Sequence, residues 1–239
     1  MKTVRQIWKD LGTVFRLPRV TINLMFAETQ RNDPFYQRIV GEMYNTARRR
    51  HRKNPFVRSL EYGVALCPLP SAFDDYFMMI EAAGRRNVKK ARRMGYTFQR
   101  IAYNDYLDDV RAIRNSTDVR QGKLAEDFGE VRPCTDPPTR TDMHDYAYYG
   151  VLRDGHLLAY GSCFISGELC MLEHILGHAE CLSDGIVPLL IVGIARELME
   201  KYPRVRYFGY GTYFGCGTTL RRFKKKFLFL PHRVSWELG

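Results

Sequence analysis

Apolar residues recur along this chain at helical spacing in some segments and in strand-length runs between turn pairs in others, and their order predicts most of its elements. Val4, Ile7, Trp8, Leu11, Val14 and Phe15 fall on one helical face, while Lys2, Arg5, Lys9 and Arg16 fall largely on others. Such a helix either docks on the body of the protein, the simpler reading, or lies on a surface. A second helical pattern runs over residues 34–56 and carries a basic run at 48–53, either a solvated helix end or a phosphate contact. From Ser71 the pattern grows more regular. Phe77, Ile80, Gly84, Val88 and Ala91 share one face, Arg85, Arg86, Lys89, Lys90, Arg92 and Arg93 spread round the other, and Met94 with Gly95 reads as the stop. A short strand fits residues 96–102 and a further helix 105–115. The polar stretch over 120–145 is long for an inert connection and reads equally as a substrate loop or as surface irregularity.

Strand signals dominate the next segment. Residues 147–152 and 156–165 flank Asp154 and Gly155, a pair that tolerates positive φ, which predicts a hairpin. Ser166 and Gly167 supply a second tight turn, and 169–176 reads as a third strand. A long apolar helix fits 185–201, with Pro188 tolerable only in its first turn, where a missing N–H is harmless. A strand over 204–210, a glycine-rich turn, a basic amphipathic helix and a closing strand complete the chain. The order strand, strand, strand, helix, strand, turn, helix, strand predicts an α/β fold with a sheet of mixed direction. The Pro-rich breaks at 67–70 and 132–138 mark the places where the chain divides.

Composition narrows the partners. A chain of 239 residues with 45% hydrophobic content buries a sizeable core, and its net charge of +11 favours polyanions such as nucleic acid, an acidic lipid surface or a phosphate-rich cofactor. No stretch approaches the roughly 18 to 20 continuous apolar residues of a membrane span, and the charged first ten residues do not read as a secretory signal. The protein is expected in the cytoplasm, with its six scattered cysteines reduced. Cys170, His174, His178 and Cys181 have the look of a metal-ligand series, but strand residues four apart are separated by roughly 13 Å, so no metal site is expected. There is no Gly-x-Ser-x-Gly elbow and no P-loop to anchor a hydrolase or nucleotide triphosphatase reading.

Three segments in this order, residues 85–96, 149–160 and 220–227, resemble the FemABX family of aminoacyl-tRNA-dependent transferases, a branch of the GNAT-like acyltransferase superfold. The resemblance covers roughly residues 74–238. It implies a GNAT-like, mixed but mainly antiparallel sheet flanked by helices over 71–239, with residues 1–70 as a basic, partly helical N-terminal extension that either replaces a missing half or mediates a homodimer. Members of that family resemble two fused GNAT-like halves with a helical arm, whereas this chain has residues for one. In the acetyl-CoA branch a glycine-rich pyrophosphate loop joins the middle strand to the long helix. Here residues 177–185 lack its paired glycines, although N–H groups at the helix N-terminus still offer phosphate a partner.

Acyl transfer needs a donor carbonyl held in place, stabilisation of a tetrahedral oxyanion and a neutral amine. The family's Phe-Lys pair, associated with positioning the aminoacyl carbonyl, is matched at Phe223 and Lys224, which makes Lys224 the candidate electrostatic stabiliser. By composition alone, Lys224, Lys225 and Lys226 read as a solvated face over a stripe of Leu220, Phe223 and Phe227. Glu173, in the third strand, stands where GNAT-like enzymes often place a carboxylate that takes the amine proton; an exposed or ion-paired strand residue is the plainer reading. Tyr210 and Tyr213 are candidate proton donors to a leaving group, or simply packed rings. His178, Ser183, Asp184, Gly185, Arg221 and Arg222 are candidate donor-binding residues, Asp184 serving equally as a helix cap. Arg85, Arg86, Lys89, Lys90, Arg92 and Arg93 are candidate nucleic-acid contacts.

Three functions fit. The leading one is transfer of an acyl or aminoacyl group from acyl-CoA or aminoacyl-tRNA to an amine. The others are modification of DNA bases by a GNAT-like enzyme of bacteriophage type, and noncatalytic nucleic-acid binding on a GNAT scaffold.

Overall fold

The computed structural model describes residues 16–29, 33–51, 54–117, 128–137, 139–214 and 216–239. The helix expected between Val4 and Phe15 lies outside them, as does part of the 120–145 stretch. Eight strands build one mixed sheet: β1 (Arg19–Asn23), β4 (Tyr62–Pro68), β5 (Thr97–Ile101), β6 (His144–Arg153), β7 (His156–Ser166), β8 (Leu169–Gly177), β9 (Tyr207–Thr212) and β10 (Leu230–Glu237). Their spatial order is β1-β10-β4-β9-β8-β7-β6-β5. Within it, only the β1–β10 and β8–β9 pairs are parallel. Strands β2 (Arg50–His51) and β3 (Asn54–Arg58) form a separate hairpin.

The meander β6–β7–β8 follows the turn pairs of its sequence, and its strands are buried almost continuously between the helices of the two faces. Asp154 (φ 53°) and Gly155 (φ 83°) both take the left-handed conformation that a two-residue hairpin requires. Helix α6 (Ile186–Lys201) then crosses from β8 to β9 and is buried on nearly every side, with Pro188 in its first turn. It packs beneath the sheet with α3 (Phe73–Met79) and α4 (Ala82–Arg93), where Tyr76, Val88, Ile191 and Leu198 join Tyr149, Cys170 and Leu172 in one core. Each fully buried aliphatic side chain there contributes about 1.5–3 kcal/mol relative to exposure. The opposite face carries α1 (Phe26–Thr29) and α2 (Pro34–Arg48), whose Val40, Ile39 and Met43 cover Leu66, Phe164 and Met171. Helix α5 (Leu107–Asn115) closes the far edge with Val110 and Ile113 against Leu157 and Tyr160.

Three expectations change. The helical pattern over 34–56 stops at Arg48, where Arg49 turns extended (ψ 142°) and the chain enters the β2–β3 hairpin instead. The helical pattern after Ser71 is broken between Met79 and Ala82, because Ile80 leaves the helix (ψ 153°) and the Glu81 N–H donates to the Lys226 carbonyl at 3.0 Å. The boundary placed at residue 70 does not separate an extension from the sheet. Strands β1 and β4, both before it, pair with β10, and β4 also pairs with β9.

Candidate active site at a fork between parallel strands

Strands β8 and β9 are hydrogen-bonded over a short stretch only, Leu169 to Met171 against Tyr207 to Gly209. Beyond it β8 runs on to Gly177 along β7, while β9 runs on to Thr212 along β4. The ladder therefore opens into a fork, and a fork in a parallel pair is a place where backbone groups lack a strand partner and a ligand finds room. The βαβ crossover through α6 is what forces β8 and β9 to lie side by side, and the antiparallel partners on their outer edges pull them apart.

Glu173 stands on the β8 arm at a bulge. Cys163 pairs with Leu172 and Ser162 with His174, so Glu173 is the extra residue, and a bulge re-aims the side chain it carries. Its carboxylate is exposed and accepts from the Tyr146 hydroxyl at 2.5 Å. Burial first, and this carboxylate second, push the Tyr146 pKa up, which keeps the phenol protonated as the donor. Glu173 faces α2 in a cleft of about 360 Å³.

Lys224 approaches the β9 arm from α7 (Thr218–Lys226). It is 3% exposed, whereas Lys225 is exposed and Lys226 half-buried, so the solvated-face reading of this run fails at Lys224 alone. The reason is helical spacing: Leu220, Lys224 and Phe227 stand at i, i+4 and i+7, and Phe227 is buried in the core. The Lys224 ammonium donates to the carbonyls of Tyr210 (2.7 Å) and Thr212 (2.9 Å), both past the last β8-paired residue of β9. It also lies 4.4 Å from the centre of the Tyr210 ring. Burial lowers its pKa from the usual lysine value. An ammonium carries three N–H groups, and among the described residues two carbonyls leave one for a ligand.

Around Lys224 the sequence candidates sort by contact. Burial raises the pKa of the Tyr210 phenol, which stays protonated. Arg221 donates to the Cys216 carbonyl at 3.2 Å, lies 5.7 Å from the Tyr213 ring, and has a buried Nε with no partner among the described residues. Phe223 is half-buried against Phe227, and Arg222 is exposed.

The start of α6 is committed to the protein itself. The Asp184 carboxylate is not a helix cap; it accepts from the Tyr96 hydroxyl at 2.9 Å and pairs with Lys90 at 3.3 Å, and these two hold its pKa below the carboxylate norm. Ser183 offers its carbonyl to Lys90 at 2.9 Å. Gly185 (φ 89°) has its N–H on the Leu182 carbonyl, and a Cβ there would lie 2.4 Å from the Asn87 carbonyl oxygen of α4. With Pro188 lacking an N–H, this N-terminus is a poor cradle for phosphate, and Ser183, Asp184 and Gly185 serve the packing of α4 on α6. His178 donates its N–H to the Leu158 carbonyl at 2.8 Å and keeps a buried Nδ1 with no partner among the described residues.

The basic helix divides as well. Arg85 is not free for nucleic acid, because its guanidinium binds the carbonyls of Met78 and Ile80, both at 2.6 Å, where α3 ends. Lys90 is held by Ser183 and Asp184. Arg86, Lys89, Arg92 and Arg93 line an open cleft of about 390 Å³. Sequence reasoning missed Tyr146 and the α2 wall opposite Glu173, since neither lies near the candidate residues in the chain. Among the described residues no group of three His, Cys, Asp or Glu side chains is arranged to hold a metal, and no helix is long and apolar enough to cross a membrane.

No protein-family model matches the chain, and no curated protein sequence matches it. Solved structures do. FemX is 11% identical with a TM-score of 0.56, over 72% of this chain and 60% of FemX. The C-terminal domain of a protein named as a lysylphosphatidylglycerol synthetase, from Agrobacterium fabrum, is 14% identical with a TM-score of 0.45, over 84% of this chain and 63% of that one. The chain thus spans about three-fifths of the length of these structures.

Proposed function

From the GNAT-like fold that this chain shares with FemX, we propose that it is a transferase moving an acyl or aminoacyl group from an activated donor to an amine at the β8–β9 fork. The observation that carries the reading is Lys224, a desolvated ammonium fixed on the β9 arm of the fork with one N–H uncommitted among the described residues. Among the described residues this charge has no carboxylate partner; a buried, unpaired positive charge is costly to maintain, and it is worth most where negative charge develops during reaction.

In this reading the donor carbonyl lies in the fork with its oxygen toward Lys224. The amine nitrogen attacks the carbonyl carbon, the carbonyl electron pair moves to oxygen, and Lys224 stabilises the resulting oxyanion. Glu173, on the other arm, takes the proton from the attacking nitrogen. Collapse re-forms the carbonyl, breaks the ester or thioester bond, and leaves an amide. The protonated Tyr210 phenol, against Lys224, supplies the leaving oxygen or sulfur with its proton.

Aminoacyl-tRNA is the favoured donor over acyl-CoA. The α6 N-terminus, where CoA phosphates are bound in the acetyl-CoA branch, is occupied by α4, and the side chains of Arg86, Lys89, Arg92 and Arg93 offer four cations to a polyanion. Helix α4 begins at the end of α7, so this basic face starts beside the helix that carries Lys224.

The test is single-turnover transfer of a labelled amino acid from charged tRNA, and of a labelled acetyl group from acetyl-CoA, to a panel of primary amines. Transfer that collapses in Lys224→Met supports the site. Undiminished transfer in that variant removes it, and absence of transfer from every donor leaves noncatalytic nucleic-acid binding as the better reading.

A further inference from the structure

We infer that the amine acceptor carries, about 9 Å from its nitrogen, a phosphoryl group that binds at the far end of α2. This rests on the fork as the transfer site and adds the class of acceptor. Two clefts run along α2 and meet at Thr46, which lines both. The one beside Glu173 has apolar walls from Ile39, Met43 and Phe164, and its charged lining groups are the carboxylates of Glu42 and Glu173. In a chain of net charge +11, that combination selects a cation on an apolar stem. Tyr146 occupies one oxygen of Glu173 and, among the described residues, leaves the other. Arg38 pairs with Glu42 at 3.6 Å, both side chains more than half exposed, so that pair is a weak, screened one.

The second cleft, about 490 Å³, is lined by Asn45, Arg48, Arg49 and Arg58. None of these arginines makes an ion pair among the described residues. Arg48 is held in place over the Tyr44 ring and donates to the Tyr44 hydroxyl at 2.6 Å. Three guanidiniums around one cleft suit a phosphoryl group, which accepts their paired N–H bonds. Glu42 and Arg48 stand six residues apart on α2, a rise of about 9 Å, which gives the scale of the separation between the two ends of the ligand.

The experiment is calorimetric titration of the full chain with aminooctyl phosphate, octylamine, octyl phosphate and aminoethyl phosphate. Aminooctyl phosphate is expected to bind at least about tenfold more tightly than either single-ended compound, because its second end then binds intramolecularly. Glu173→Gln is expected to weaken the two octyl amines and spare octyl phosphate; Arg49→Gln with Arg58→Gln is expected to weaken the three phosphates and spare octylamine. Octyl phosphate or aminoethyl phosphate matching aminooctyl phosphate overturns the inference, as does weakening of all compounds alike by either change, or binding of none. Binding is separable from transfer. If aminooctyl phosphate binds as described and is acylated by no donor, the groove stands and the transfer reading falls. If simple amines are acylated and the arginine changes leave the KM for aminooctyl phosphate unaltered, the transfer reading stands and this inference falls.

Discussion

Arg100 and Asp145 form a two-pronged ion pair, at 2.7 and 2.9 Å, between β5 and the start of β6. Asp145 is 1% exposed and also accepts from the Tyr202 hydroxyl at 2.6 Å, so the end of α6 is tied into the same network. Removing one partner leaves the other charge without compensation. Asp145→Ala is expected to lower stability by about 2–3 kcal/mol, less than a wholly buried pair would lose because 26% of the Arg100 side chain meets solvent. The urea midpoint measures it.

Lys224→Met is expected to reduce transfer by about 10²–10³-fold, the usual cost of losing an oxyanion donor, while Lys224→Arg, which keeps the charge, retains more. Burial lowers the Lys224 pKa, so activity that needs the ammonium falls as pH rises through that lowered value. Stability runs the other way. Between the lowered folded value and the ordinary 10.5, the unfolded chain holds the proton more firmly, so raising pH through that window favours the folded state. Alkaline unfolding curves of the Met variant should lack this slope.

Glu173→Gln is expected to slow transfer at neutral pH by about 10²-fold, with recovery at higher pH as the amine loses its proton to solvent instead. Tyr146→Phe removes the hydroxyl that orients the carboxylate and should give a smaller loss of the same pH form. A loss independent of pH in both variants would argue for a structural role only.

Changing Arg86, Lys89, Arg92 and Arg93 together to Gln is expected to flatten the dependence of RNA affinity on salt, by about 0.7–0.9 in log–log slope for each phosphate no longer neutralised. Arg85→Gln should leave that slope in place and lower the melting temperature, since Arg85 closes the end of α3. Filter binding over a salt series, with thermal melts, separates the two.

Gly185→Ala is expected to destabilise by about 1–3 kcal/mol, from the left-handed backbone and the Asn87 carbonyl in the path of the new methyl. Differential scanning calorimetry gives the shift, and a matching loss of activity without loss of stability would be the contrary result.

What the sequence made legible is what local pattern encodes. The Asp154 and Gly155 turn between two strand runs and the apolar run of α6 specify their own elements, and the lysine singled out by the resemblance at 220–227 is the buried one of three neighbours. Its burial was not legible from composition, which put all three lysines on a solvated face; the packing of Phe227 into the core is what turns Lys224 inward. The membership of β1 and β4 in the sheet was not legible, because their partners come from the opposite end of the chain and no local periodicity records them. The same holds for Asp184. A carboxylate before a helix reads as a cap, and only the position of α4 shows Tyr96 and Lys90 drawing it away.

Strand β4 lies between β10 and β9, both made about 140 residues or more after it. During synthesis both of its edges therefore wait unpaired, as does β1, whose sheet partner is β10. The α6 side of the sheet has its local contacts early, whereas the wall that holds α2 is completed by the last strands to emerge. Closing of the sheet is thus the late step of folding, and the acceptor groove along α2 forms only once β10 has slotted between β1 and β4.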